Sequence, residues 1–214
     1  MKRETGLILA LDETDAAKAL RIADSASAYV DAIKINWPLV LSAGPEMITR
    51  LAEISDVICD FKVADIPNTV RLIVEGAAAR GASAVIVHAF TGEDSLTEAV
   101  RAAGKADIYA VTEMSHPGGA AFTALHAEEM VRMGKRCGVS GFVAPATRPG
   151  RIAEIRKIAG DLEIMSPGVG AQGGSAGAAI SAGADHVIVG RSIYGSEDPA
   201  AAAKAVCDEI KSLL

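Results

Sequence analysis

Asp60, Lys62 and Asp65 fall within six residues in CDFKVADIPNT (59–69), at the end of an apolar run. Residues two apart in a strand share a face, so Asp60 and Lys62 point to one side and Phe61 to the other. A carboxylate and an ammonium placed this way form either a structural ion pair or a pair that holds a proton ready for transfer. Burying charge is costly unless it is paired and hydrogen-bonded, and apolar side chains would fill a strand end more easily, which favours the functional alternative. Asp65 reads as the N-cap of a helix starting near Ile66. Asp12 ends the first apolar run, and Thr14 or Asp15 could cap the next helix without it. Lys34 interrupts AIKIN, an otherwise apolar strand, and so either snorkels to the surface or works in a site. With Lys62 it makes two cations among three acids, a network that can keep one ammonium poised as a proton donor.

A second group of residues suits an anion. PGVGAQGG (167–174) and VGRSIYG (189–195) follow the seventh and eighth apolar runs. Glycines let backbone N–H groups approach closely, Ser175 can open a helix whose N-terminus favours negative charge, and Arg191 offers a planar fork. The alternative is that both are tight turns. The joint reading is a phosphorylated small molecule, its phosphate at these loops and its reacting end over Asp60 and Lys62. His88, His116, His126 and His186 are scattered without metal-ligand spacing; His88, at a strand end, either serves the site or is a satisfied structural histidine, the second being favoured, and His186 opens its strand, on the stability face. There is no nucleophile elbow and no P-loop.

Eight apolar runs must position these residues: 6–12, 31–36, 56–62, 83–90, 107–113, 141–145, 162–168 and 186–192. Continuous apolar runs mark strands buried on both faces. Helical spacing fills the gaps. Ile66, Val70, Ile73, Val74 and Ala77 line one helix face, and Ala202, Val206, Ile210 and Leu213 another, behind an Asp198–Pro199 start. Eight strand–helix units across residues 1–214 predict a single-domain α/β chain, a (β/α)8 TIM barrel, with a doubly wound sheet as the competitor. Barrel sites lie at the C-terminal strand ends, which here offer Asp12, Lys34, Asp60, Lys62, His88, Thr112, Ser115, Pro145, Ser166–Gly170, Gly190 and Arg191. The segment 114–140 is the least defined by pattern.

The net charge of −6 comes without a basic stripe, so no nucleic-acid surface is expected. LILAL is too short for a signal or membrane segment, and the chain is expected to be cytoplasmic with no membrane partner. Three cysteines without C-x-x-C spacing read as free thiols.

Five stretches together resemble orotidine 5′-monophosphate decarboxylase of the short archaeal type: LALD with Asp12, KINWPLVL with Lys34, DFKVADIPNT, TEMSHPG (112–118), and SPGVGAQGG with VGRSIY. The resemblance covers essentially the whole chain. It implies decarboxylation of orotidine 5′-monophosphate to uridine 5′-monophosphate in pyrimidine biosynthesis, without metal or cofactor. Lys62 would protonate C6 as carbon dioxide leaves, and Asp60 would face the substrate carboxylate. Asp12 and Lys34 would complete the charged array and contact the ribose. Asp65, Ile66 and Thr69 would reach the neighbouring subunit's site, implying a homodimer. Ser115 would read the pyrimidine beside Met114, Gln172 would bridge ring and phosphate, Gly190 and Arg191 would hold the phosphate, and Pro167, Gly168 and Val169 would help line a lid. Gly119–Phe122 carries no inferred role. The same D-x-K-x-x-D motif occurs in magnesium-dependent sugar-phosphate decarboxylases and aldolases, in which an acidic residue stands at the position of Lys34.

Overall fold

Ile, Val and Leu dominate the eight runs, and the computed structural model, which describes residues 3–212, places all eight as parallel strands of one closed barrel in sequential order. These are β1 (Leu7–Ala10), β2 (Ala32–Ile35), β3 (Val57–Val63), β4 (Ala84–His88), β5 (Asp107–Val111), β6 (Gly141–Val143), β7 (Glu163–Pro167) and β8 (His186–Val189). The outer ring comprises α1 (Ala16–Ala26), α2 (Trp37–Ala43), α3 (Met47–Ala52), α4 (Pro67–Ala78), α5 (Glu93–Ala102), α6 (Thr123–Cys137), α7 (Pro149–Ala159), α8 (Ala176–Ser181), α9 (Arg191–Tyr194) and α10 (Pro199–Lys211). The barrel, not the doubly wound sheet, is the fold. Most strands are shorter than their apolar runs, because the polar residues at their C-terminal ends belong to loops.

Alternation divides the core in two. Ile8, Ala10, Ile58, Ile86, Tyr109, Met165 and Ile188 belong to a cluster filling the barrel interior. Leu9, Ile33, Val57, Val85, Phe142 and Val187 pack outward against the helices. Both faces of each strand are therefore dry, as continuous apolar runs require. At the N-terminal end of the barrel, the Tyr109 hydroxyl donates to Glu163 (2.5 Å), and buried His186 lies 3.4 Å from Asp31. His186 thus sits on the stability face, as its place at the start of β8 predicts.

Several helix starts follow local chemistry. Asp15, Ser175 and Asp198 each accept an N–H three residues on, opening α1, α8 and α10. Asp65 does not cap α4. The N-cap is Ile66, because Pro67 takes the first helical position; the Asp65 side chain accepts the Ile66 N–H (2.7 Å), and its carbonyl accepts from the Ser95 hydroxyl (2.8 Å). Ile66 also falls outside the buried face of α4, which is Val70, Val74 and Ala77; it is 67% exposed. On α10 the buried residues are Ala203, Cys207 and Ile210, one step round from the face predicted, and Leu213 lies outside the described residues. Segment 114–140 folds as a short 3-10 turn, Pro117–Ala120, followed by α6.

Candidate active site

Strand register sets the heights of the charged groups. Lys34 pairs with Ala10 on one side and Ile58 on the other, both interior residues. Asp12 and Asp60 follow those neighbours by two positions, so they stand one interior layer nearer the mouth. Lys34 extends up to meet them: its Nζ lies 3.0 Å from Asp60 Oδ2, with both residues 5% exposed. Lys62 Nζ donates to both Asp60 oxygens at 2.8 Å from the open side. Burial pushes the Asp60 carboxyl up, but the Lys34 and Lys62 ammoniums outweigh it and hold the group below the ordinary carboxylate range.

Lys62 reaches this position through an irregular strand. The β3–β4 ladder runs Ile58↔Ala84 and Cys59↔Val85, then resumes at Val63↔Val87, so Asp60–Lys62 is a bulge. Lys62 has φ +43°, alone among the described non-glycine residues in taking a positive value. A non-glycine residue held there costs on the order of 1–3 kcal/mol and tends to mark a functional site. The expectation that Asp60 and Lys62 share a side is met, by a kink and not by regular alternation.

These groups floor a cavity of about 420 Å³ at the C-terminal end of the barrel. Asp12, Lys34, Asp60, Lys62, Met114, Ser115, Pro167, Gly168, Val169, Gln172, Gly190 and Arg191 all line it. Asp12 Oδ1 is buried with no hydrogen-bond partner among the described residues, an acceptor left open on a residue that lines the cavity. Asp65, Ile66 and Thr69 do not line the cavity. Nor do His88, Thr112, Pro145 or Ser166. Thr112 is fully buried and bonds the Val143 carbonyl. His88 is not the satisfied histidine its position predicts, because its Nδ1 is buried without a partner among the described residues. Burial, reinforced by the nearby Lys62 ammonium, pushes its pKa down to about 4.

Two loops form the upper wall. Gly168–Gly174 folds on itself through Gly170 N–H to Gly174 O and Gly174 N–H to Gly168 O bonds of 2.9 and 3.0 Å. Gly168 has φ +104°, and a Cβ there would lie 3.0 Å from Thr147, so only glycine suits this corner. Across the mouth, Ser115 Oγ donates to Gln172 Oε1 at 2.9 Å. At the base of the Ser115 loop, the fully buried Glu113 carboxylate accepts from Arg148 and Arg151 at 2.8 Å each. Arg148 also bonds the Met114 carbonyl, and Thr147 bonds that of Ser115. Gly119 packs so closely that a Cβ would sit 2.3 Å from the Met114 carbonyl oxygen. The stretch without a role in sequence is therefore the seat of that loop.

Sequence reasoning missed Asn36, Glu113, His116 and Tyr194 as cavity residues. Asn36 had a signal, two positions beyond Lys34 on the same strand edge. Tyr194 had one too, a helical turn after Gly190 in the quoted VGRSIY. Glu113 had none, because its partners lie 35 and 38 residues away.

Chemically, the site offers two ammoniums on one carboxylate at the floor, Asp12 beside them with an oxygen that has no hydrogen-bond partner among the described residues, and the Gly168–Gly174 loop and Arg191 along the wall. Among the described residues, no group of three or more His, Cys, Asp or Glu side chains is arranged to hold a metal ion. Residues 5–206 match the orotidine 5′-phosphate decarboxylase / HUMPS family. The chain belongs to this family. Among relatives, an orotidine 5′-phosphate decarboxylase from Methanococcoides burtonii is 57% identical over 213 residues, covering 98% of this chain and 99% of the relative. That of Methanosarcina mazei is 55% identical, covering 100% and 99%. The orotidine 5′-monophosphate decarboxylase of Methanocaldococcus jannaschii, solved with the inhibitor BMP, superposes with a TM-score of 0.91 at 43% identity over 95% of this chain and 97% of that one. The decarboxylase family thus shares both the barrel and the length of this chain.

Proposed function

We propose that this chain decarboxylates orotidine 5′-monophosphate to uridine 5′-monophosphate and carbon dioxide, with Lys62 as the proton donor to C6. The observation that carries this is the Lys62 ammonium, held by both Asp60 oxygens and facing the cavity. Family membership and full-length similarity to named decarboxylases support the reaction.

The step balances without a cofactor. The C6–carboxylate bond breaks, its electron pair stays on C6, and Lys62 Nζ delivers a proton there; solvent then returns a proton to the amine. The ammonium stabilises the developing carbanion and then quenches it. Asp60 would stand against the departing carboxylate. Two like charges ~4 Å apart at an effective dielectric of ~20 repel by about 4 kcal/mol, which is ~10³ in rate. Two ammoniums already offset the Asp60 charge, so its contribution is smaller still. Most of the acceleration must come from Lys62 and from preorganised contacts. In this reading Gly190, Arg191 and the Gly168–Gly174 lid hold the phosphate, Ser115, Met114 and Gln172 hold the pyrimidine, and Asp12 and Lys34 hold the ribose. Binding energy at the phosphate can then drive lid closure.

The same reading makes the active unit a homodimer. Asp65, Ile66 and Thr69 lie outside their own chain's cavity, and Ile66 and Leu72, three residues to either side of Thr69, are exposed apolar side chains at 67% and 54%. These residues would complete the partner's site. No helix among the described residues is long and apolar enough to cross a membrane, and we take the reaction to be cytoplasmic.

The test is orotidine 5′-monophosphate decarboxylation by the purified chain with excess chelator. Release of uridine 5′-monophosphate is expected. No turnover, with activity on a keto-sugar phosphate once magnesium is restored, would move the chain to the magnesium-dependent sister reaction.

A further inference from the structure

We infer that Trp37 is a positioning residue for Lys62, acting through the peptide that joins Phe61 to Lys62; this rests on the reading of Lys62 as proton donor. Trp37 opens α2 directly after Asn36, whose side chain accepts the Trp37 N–H at 2.7 Å and so fixes the start of the helix. From there the indole makes two contacts with one residue. Its ring stacks on Phe61, with centroids 4.6 Å apart and planes 25° from parallel. Its Nε1–H donates to the Phe61 carbonyl at 3.1 Å.

That carbonyl belongs to the peptide entering Lys62, whose φ is +43°. The simplest relaxation of a left-handed residue is a flip of the preceding peptide. A half-turn would carry the Lys62 φ to about −137°, out of the left-handed region. The same half-turn would swing the Phe61 oxygen away from the indole and break the 3.1 Å bond. The stack meanwhile prevents Phe61 from following the motion. Trp37 therefore holds the strained conformation from outside the cavity, which it does not line. The ends of β2 and β3 are joined twice, by Lys34 on Asp60 within the barrel and by Trp37 on Phe61 outside it. Lys62 is directed between the two joints.

The consequence is catalytic and not affinity-based. Relaxing the peptide moves the Lys62 amine but leaves the phosphate loops and the Ser115–Gln172 wall in place. Trp37→Phe keeps an aromatic stack and removes the N–H; Trp37→Leu removes both. Misplacing a reacting group by ~1 Å can cost ~10²-fold in rate. Steady-state kinetics should show kcat lowered roughly 10-fold in Trp37→Phe and about 10²-fold in Trp37→Leu, with KM and the affinity for uridine 5′-monophosphate within about threefold of the parent. Unchanged kcat in Trp37→Phe would overturn the inference. So would a parallel loss of kcat and nucleotide affinity, which signals general loosening. Lys62→Ala run alongside separates the two levels: if it retains turnover, the proton-donor reading fails and the inference with it, whereas an inactive Lys62→Ala beside a normal Trp37→Phe removes the inference alone.

Discussion

Ser115 and Gln172 meet across the mouth of the barrel, 57 residues apart in sequence, with the serine hydroxyl donating to the glutamine amide oxygen at 2.9 Å. One bond thereby ties the loop after β5 to the loop after β7. It is partly exposed, so its own worth is on the order of 1 kcal/mol. Its value to the proposed reaction is that one residue can contact both the ring and the lid. Gln172→Ala and Ser115→Ala should each lower kcat/KM by roughly 10-fold, and the double variant should lose less than the product, because the two share one contact. Steady-state kinetics on the three variants checks this; a fully multiplicative loss would mean that the two residues act separately.

Lys62→Ala and Asp60→Ala should separate chemistry from stability. Removing Lys62 leaves Asp60 still paired with Lys34, so the fold should hold while turnover nearly disappears and nucleotide binding stays measurable. Removing Asp60 strands Lys34, which is 5% exposed. Breaking a buried pair on one side costs about 3–5 kcal/mol. Urea unfolding should therefore show Asp60→Ala strongly destabilised and Lys62→Ala close to the parent.

A shared site makes a mixing prediction. Asp65→Ala and Lys62→Ala homodimers should each be nearly inactive. In a heterodimer of the two, one site carries both lesions and the other neither. Random reassortment of a twofold dimer then returns about a quarter of the parent activity. Mixing after mild dissociation, followed by assay, tests it; activity that stays at the homodimer level would remove Asp65 from the neighbouring site.

The barrel was legible in sequence because strand burial is local information: each run of Ile and Val announces its own two dry faces. The charged floor was legible for the same reason, since Asp12, Lys34, Asp60 and Lys62 break apolar patterns that have no other use for them. What escaped was set by neighbours. Asp65 has the residue type of an N-cap, yet Pro67 shifts the start of α4 one position past it. The positive φ of Lys62 follows from a mismatch between β3 and β4 that no spacing within β3 reveals. Glu113 became interpretable only once α7 brought Arg148 and Arg151 against it.

Acid stability should carry the mark of His88. Its pKa is pushed down to about 4 in the folded chain, chiefly by burial and then by Lys62, from an ordinary value of 6.5. Between those values the unfolded chain holds a proton that the folded chain refuses. Unfolding therefore takes up protons, and stability falls as pH drops from 6.5 toward 4 and levels off below. Above pH 6.5 the group is neutral in both states and contributes nothing to the slope. Asp31 adds a later loss. Burial raises its carboxyl, but His186 and the backbone N–H groups of Thr5, Glu4 and Gly6 together hold it at about 2, against 3.8 ordinarily, so its stabilisation disappears as pH falls through that lower range. His88→Gln should flatten the unfolding free energy between pH 6.5 and 4 and leave the Asp31 limb intact. The change in slope is bounded by one proton, about 1.4 kcal/mol per pH unit, and solvent screening at this partly exposed ring keeps it below that limit. Urea midpoints across the range would show it, and an identical slope in His88→Gln would assign the acid loss to other groups.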